Sequence, residues 1–453
     1  MAEATAFYGR FAHTPSRGAL EILDDTLVII DPKGTITDVL SGSDVDFQKA
    51  LDQARVSGGL CQSGEKSLFL PGMVDLHVHA PQWPQLGRAL HLPLDEWLNA
   101  YTFPLEARFR NADLARSVYP NLVSTLLANG TTTAVYFSTI HMEASQVLAE
   151  VCRDAGQRAF VGKVVMDDPD QCPDYYRDSS TRQAIDETQG FIEFVRNLSG
   201  NDADLVQPIV TPRFIPSCSH AALLELGRVA DQMDCRVQTH CSEGDWEHQF
   251  VHERYGQSDT TALAELGLLQ RGSVVAHCNF ASPTDMEIMK GALTGIAHCP
   301  ISNAYFANSV FPLRQALDIG VSVGMGTDIS GGPSPSIFEN ARFAIAASRM
   351  LEEGVDPETA SASRGHPDSR IDFREALWVA TAGGAEVLDI PVGKFEKGRH
   401  FDAILVDHHE ATDRAAFSNS TTSGEDFVQE LIYNVSQSDI RRVWVNGRLT
   451  HNS

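Results

Sequence analysis

The sequence predicts an α/β protein: a (β/α)8 barrel of the TIM type, with a small β-sandwich built from both ends of the chain. Three observations predict it. Eight short apolar runs, each closing on polar residues, recur between residues 72 and 328. Helix-patterned stretches such as "AALLELGRVADQM" and "TDMEIMKGAL" separate most of them. Both flanks alternate apolar and polar residues with the two-residue period of strands. Parallel strands need a crossover helix between them, and eight successive units favour closure over an open sheet.

The first run is "GMVDLHVH" (72–79), followed by a long insertion carrying "LDEWLNAYTFPLEARF". The next three are "TTTAVYFS" (131–138), "RAFVGKVVMD" (158–167) and "QPIVTPRF" (207–214). "RVQTHCSE" (236–243) and "SVVAHCNF" (273–280) follow, then "GIAHCPIS" (295–302) and "VSVGMGTD" (321–328). Before them, "LEILDDTLVIIDPKGTITDVL" reads as a hairpin turning at "DPKG"; after them, "FDAILVD" and "RRVWVNGRLT" are strands, the latter turning at "NG". Residues 1–70 and 386–453 are therefore assigned to the sandwich-like domain and 71–385 to the barrel. "DRAAFSNSTTSGED" (413–426) is the best candidate for a flexible loop, and no internal repeat is present.

Composition narrows the function classes. Of 453 residues, 43% are hydrophobic and 21% charged, which suits a globular protein with a large core. The net charge of −25 repels phosphate backbones and anionic membranes and disfavours nucleic acid as a partner. "MAEATAFYGRFAHTPSRG" lacks the apolar core of a signal peptide, and no long uncharged run suggests a membrane span. Eight cysteines without a CxxC pair fit scattered reduced thiols, so a cytoplasmic protein is expected. On that expectation the sequons at Asn197, Asn419 and Asn434 are chance, and "LTHNS" is no address signal.

In such barrels chemistry sits at the C-terminal ends of the strands. Those ends supply His77 and His79, Arg213 and Phe214, His240 and Glu243, His277, His298 and Asp328. Positions i and i+2 of a strand face the same way, so His77 and His79 can meet one metal ion. Three imidazoles and a carboxylate suit Zn²⁺ or Fe²⁺ at about 2.0–2.2 Å, with a position left for water. Other motifs fall away. His248 and His252 in "HQFVH" have zinc-protease spacing, but Gln249 stands where the catalytic glutamate belongs, so they read as a solvated helix face. No PCxxC occurs, which excludes the zinc site built from HxE and PCxxC. "GMGTDISGG" lacks the GK[ST] ending of a phosphate loop; its glycines let the chain turn tightly after Asp328.

HxH on the first strand, His on the fifth and sixth and Asp on the eighth resembles the amidohydrolase superfamily. Within it, the chain resembles the guanine deaminase family through "PGMVDLHVHAPQ", "LDEWLNAYTFP", "NGTTTAVYF", "QRAFVGKVVMD", "TPRF", "THCSE", "AHC", "IAHCPISN" and "GMGTDISGG". The match runs from about residue 70 to 335 and is loose near 170–200 and 355–370. "AYFANSVFP" replaces the usual leucine-rich stretch after "SN", so the loop after the seventh strand is expected to contact substrate differently.

The resemblance implies hydrolytic deamination of guanine to xanthine and ammonia, by attack of metal-activated water at C2. It implies one zinc, with Fe²⁺ the alternative, on His77, His79, His240 and Asp328. Binuclear relatives bridge two metals with a lysine ending the fourth strand; Arg213 stands there, and Lys163 lies within the third strand, which favours one metal. Glu243, with Asp328, is expected to move protons and His277 to hydrogen-bond the attacking water and developing oxyanion. His298 stays open between a supporting and a structural role. His240 is expected to contact substrate, Gln82 to read ring nitrogens on the edge opposite O6, Arg213 to fork onto the O6 edge of guanine, and Phe214 to stack on the ring. A homodimer is expected, through the insertion around Trp97 to Phe103. The rival readings are a related enzyme acting on another aminated heterocycle or cyclic amide, and a scaffold that has lost its metal. The latter predicts missing ligands, whereas every position here is filled.

Overall fold

The computed structural model describes residues 5–64, 66–307, 309–407 and 424–453. Five strands precede the barrel: β1 (Ala6–His13), β2 (Glu21–Ile30), β3 (Ile36–Ser41), β4 (Leu60–Gln62) and β5 (Ser67–Pro71). The barrel strands are β6 (Met73–His79), β7 (Thr131–Phe137), β8 (Arg158–Gly162) with β9 (Val164–Val165), β10 (Val206–Pro208) with β11 (Thr211–Pro212), β12 (Gln238–Cys241), β13 (Val274–His277), β14 (Gly295–His298) and β15 (Val323–Met325). β16 (Ala403–Asp407), β17 (Ile440–Val445) and β18 (Arg448–Asn452) return to the first group.

Parallel pairing runs β10-β8-β7-β6-β15-β14-β13-β12. The circle closes where Val210 bridges Val237, with Val210 N–H donating to the Arg236 carbonyl at 2.9 Å and Gln238 N–H to the Val210 carbonyl at 2.9 Å. The expected barrel is present, but its third and fourth strands are interrupted. Pro208 and Pro212 have no N–H to donate, so the fourth cannot hold a continuous ladder. Beside the break, a Cβ on Gly162 would stand 2.6 Å from the Ile209 carbonyl oxygen, so only glycine permits that approach. Inside the barrel, Val74, Leu76, Val135, Phe160, Ile209, Val274, Ala276 and Ala297 pack with Val387 and Leu388.

Both chain ends join in one eight-stranded sheet, ordered β18-β17-β16-β5-β1-β2-β3 with β4 beside β1. Both hairpin turns form where the sequence expects them. Asp31 Oδ1 accepts from the Lys33 and Thr35 N–H groups at "DPKG", while Asn446 and Gly447 both take positive φ, as a type I′ turn requires. Phe7 stacks on Phe401 at 3.9 Å and meets Trp444 edge-on, which ties the first strand to the last segment. The buried Arg158–Asp402 ion pair at 3.1 Å fastens this sheet to the barrel. The expected loop 413–426 and the Asn419 sequon fall mainly or wholly outside the described residues, apart from the start of the helix Gly424–Asn434. Among the described residues no helix is long and apolar enough to cross a membrane. All eight cysteines are free and buried.

Candidate active site

His77 and His79 leave β6 together, their ring centroids 4.8 Å apart. His240 comes from β12, and Asp328 follows β15 with a φ of 49°, a conformation that Asp tolerates. Asp75 fixes the two loops to each other, accepting from Thr327 N at 2.9 Å and Thr327 Oγ1 at 2.6 Å, while Asp328 N–H donates to the His77 carbonyl at 2.8 Å. A Cβ on Gly332 would lie 1.9 Å from the Thr327 carbonyl oxygen, and one on Gly331 2.7 Å from Asp328 Oδ2. Close approach, rather than positive φ, is what these two glycines supply.

The donor atoms converge. His79 Nε2 and His240 Nε2 are 3.1 Å apart, and Asp328 Oδ1 is 3.3 Å from His77 Nε2 and 3.4 Å from His79 Nε2. Ligands at about 2.0–2.1 Å from a tetrahedral centre stand about 3.3–3.4 Å apart, so these three spacings match those around a single ion, and His77, His79 and Asp328 form one metal-capable group. The surrounding bonds fit as well. His240 Nδ1 donates to the Arg213 carbonyl at 2.5 Å, which leaves Nε2 with its lone pair. Ser302 Oγ donates to Asp328 Oδ2 at 2.5 Å and leaves Oδ1 free to ligate. His77 Nε2 is buried without a hydrogen-bond partner. Burial holds His77, His79 and His240 well below the ordinary imidazole range, in the neutral form that ligates metal.

Glu243 lies between β12 and the helix Asp245–Tyr255, and its Oε2 is 3.7 Å from His277 Nε2. Burial, reinforced by the charge of Asp328, pushes its carboxyl well above the ordinary range. A strap of hydrogen bonds fixes both residues. Glu243 N–H donates to Glu247 Oε2, and the Glu243 carbonyl accepts from Asn279 Nδ2, each at 2.8 Å. Asn303 Nδ2 donates to Asn279 Oδ1 at 2.8 Å, and His277 Nδ1 donates to Asn303 Oδ1 at 2.9 Å. His277 Nε2 then remains as a buried, unpartnered acceptor. His298 packs against Phe311 at 5.2 Å, and burial pushes it down to about 3; among the described residues it joins none of the ligand-capable groups. His248 points Nδ1 to Asp259 Oδ2 at 3.3 Å and is half-buried rather than fully solvated, whereas His252 is exposed.

These groups open onto a pocket lined by His79, Gln82, Leu94, Trp97, Leu98, Arg213, Phe214, His240, Glu243, Phe306, Asp328 and Gly331. Trp97 and Phe103 of the insertion face inward and are buried, Trp97 against Phe306 at 5.1 Å. Arg213 is partly engaged already. Its two terminal nitrogens are already paired with the buried carboxylate of Glu106, Nη1 to Oε2 at 2.7 Å and Nη2 to Oε1 at 3.3 Å. Only the Nε edge of the guanidinium remains for a ligand. Gln82 is likewise engaged: Nε2 donates to Glu106 Oε1 at 2.8 Å, and Oε1 accepts from Ser330 N–H at 3.1 Å. Sequence reasoning missed Glu106, Asn279 and Asn303. The one available signal for Glu106 was a carboxylate standing among the aromatic and leucine residues of "TFPLEARF".

Residues 68–450 match the model of the amidohydrolase family. The chain belongs to that family. Among curated relatives, the guanine deaminase of Dictyostelium discoideum is 34% identical, covering 97% of this chain and 97% of that protein. The guanine deaminase of Homo sapiens is also 34% identical, over 98% and 96% of the two chains. Among solved structures, the guanine deaminase of C. acetobutylicum with guanine bound in its active site superposes with a TM-score of 0.87. It is 28% identical and is covered over 99% of its length, against 98% of this chain.

Proposed function

We propose that this chain hydrolyses guanine to xanthine and ammonia. The observation that carries this reading is one pocket lined both by members of a metal-fitting donor set and by the donor groups of Arg213 and Gln82. Identity of 34% to guanine deaminases over nearly the whole chain supports it. His77, His79, His240 and Asp328 would hold one divalent ion, zinc in the first instance and iron(II) as the alternative. When bound, that ion supplies Lewis-acid activation of a water molecule.

The remaining work falls to side chains. Phe214 offers a ring face on which a purine stacks. Gln82 and Arg213 share the Glu106 carboxylate, so the second Nε2 hydrogen of Gln82 joins the free Nε edge of Arg213 at the O6 edge rather than facing the opposite one, which directs C2 towards Glu243. Glu243 Oε2 takes one proton from the attacking water and passes it to a ring nitrogen, then carries the second, from the hydroxyl formed at C2, to the leaving amine, so that ammonia departs and a C2 carbonyl remains. His277 Nε2, kept proton-free by Asn303, accepts from the attacking water but has no hydrogen to give the developing oxyanion, so only the first half of its expected role is kept; Asp328 stands next to it.

Lys163 gives no support to a second metal: its Nζ is buried against Asp178 at 2.9 Å and Glu187 at 3.3 Å. The division into a barrel, 71–385, and a terminal-sheet domain, 1–70 with 386–453, belongs to the same proposal. So do a cytoplasmic location, supported by the free buried thiols, and a homodimer, which rests on the family resemblance. The test is ammonia release by the metal-loaded chain from guanine, adenine, a pterin and a cyclic amide. Guanine is expected to be turned over fastest; preference for any of the others overturns the reading.

A further inference from the structure

Glu106 lies behind the pocket wall, with no exposed surface and no place in the lining. Four hydrogen bonds converge on its carboxylate. Oε1 accepts from Gln82 at 2.8 Å and Arg213 Nη2 at 3.3 Å; Oε2 accepts from Arg213 Nη1 at 2.7 Å and Tyr176 at 2.6 Å. The Tyr176 hydroxyl also meets Thr139 Oγ1 at 3.0 Å, and the ring of Phe103 lies 5.1 Å from the Arg213 guanidinium carbon. Both donors on this carboxylate that also line the pocket are side chains expected to touch the substrate.

The consequence is chemical rather than only mechanical. An amide such as Gln82 can turn either its oxygen or its nitrogen to a ligand. Here the Ser330 N–H requires the oxygen and the Glu106 carboxylate requires the nitrogen, so one orientation satisfies both. The nitrogen of Gln82 then keeps one hydrogen for a ligand, while its oxygen, held towards the Ser330 N–H, keeps one lone pair. Arg213 has only N–H groups to offer, and the ion pair with Glu106 leaves Nε and its neighbouring Nη2 hydrogen without a protein partner among the described residues.

We propose that Glu106 is the positioning residue that turns the N–H groups of this wall towards the ligand and thereby selects 6-oxopurines over 6-aminopurines, an inference that rests on the guanine reading above. An oxygen at C6 and the adjacent N7 accept from such a wall. An amine at C6 brings donor against donor and leaves buried N–H groups unpaired. With a neutral amide at position 106, Gln82 is free to turn its oxygen outward and accept from a 6-amine.

The test compares wild type with Glu106→Gln and Glu106→Asp on guanine and on 2,6-diaminopurine, which keeps the C2 amine and exchanges O6 for an amine. Product is followed as xanthine and as 2-oxo-6-aminopurine, normalised to bound metal. Glu106→Gln is expected to raise the KM for guanine and to narrow the guanine-to-diaminopurine ratio of kcat/KM at least about 10-fold, with Glu106→Asp recovering part of the ratio. A ratio within about twofold of wild type, whatever happens to kcat or thermal stability, overturns the proposal, since a purely structural carboxylate changes both substrates alike. If Glu106→Gln does not fold, Tyr176→Phe decides. Loss of one of the four bonds is expected to shift the ratio in the same direction, and an unchanged ratio again overturns the assignment. Wild type that makes no xanthine from guanine overturns the guanine reading, and this inference with it.

Discussion

Replacing Arg213 by methionine separates the structural from the chemical duties of one side chain. The Arg213 and Glu106 side chains are 4% and 0% exposed, so their charges meet away from solvent. Methionine fills much of the space but deletes two of the four hydrogen bonds on Glu106 and leaves its carboxylate buried without a cation. Removing one partner of a buried pair costs about 3–5 kcal/mol, whereas replacing both by neutral groups of similar size is often nearly neutral. Arg213→Met is therefore expected to lose about 3–5 kcal/mol, and Arg213→Met/Glu106→Gln to regain most of it. Guanine turnover should stay collapsed in both, because neither restores the donor edge in the pocket. The assay is urea unfolding of the metal-loaded full chain followed by tryptophan fluorescence, with ammonia release measured on the same samples. Equal stability of Arg213→Met and wild type refutes the buried-pair account. A double variant less stable than either single refutes it too, and recovered turnover in the double variant refutes the role given to Arg213.

Other substitutions probe the remaining parts of the site. The wild-type chain should carry close to one zinc or iron by elemental analysis and lose it in His240→Ala; two metals per chain would contradict the single-ion geometry. Glu243→Gln should keep its metal while turnover falls by at least about 10²-fold in steady-state assays, as loss of a general base predicts. Asn303→Ala frees His277 Nδ1 and breaks the link to Asn279, so kcat should fall about 10-fold or more with metal content unchanged; unaltered kcat would show that the strap plays no part in catalysis.

The barrel was legible because its strands end in residues that chemistry requires, so the apolar runs and the polar ends reported the same boundaries. His77 and His79 could be paired from sequence because strand periodicity alone puts them on one face. The breaks in the third and fourth strands were not legible, although Pro208 and Pro212 signalled the second; Gly162 yields only to knowledge of what approaches it. Arg213 was placed correctly at a strand end, but its partner was not, since Glu106 lies 107 positions away and meets it only through the fold. Asn279 and Asn303 were invisible for the same reason: each is an ordinary loop or helix polar residue until His277 and the Glu243 carbonyl are brought beside it.

The most direct test of the account is guanine turnover by the metal-loaded chain in ¹⁸O-labelled water. The account predicts one ammonia for each xanthine and a single labelled oxygen, located at C2 of the product. Unlabelled xanthine, label at any other position, or labelled product without an equivalent of ammonia would contradict hydrolytic attack at that carbon.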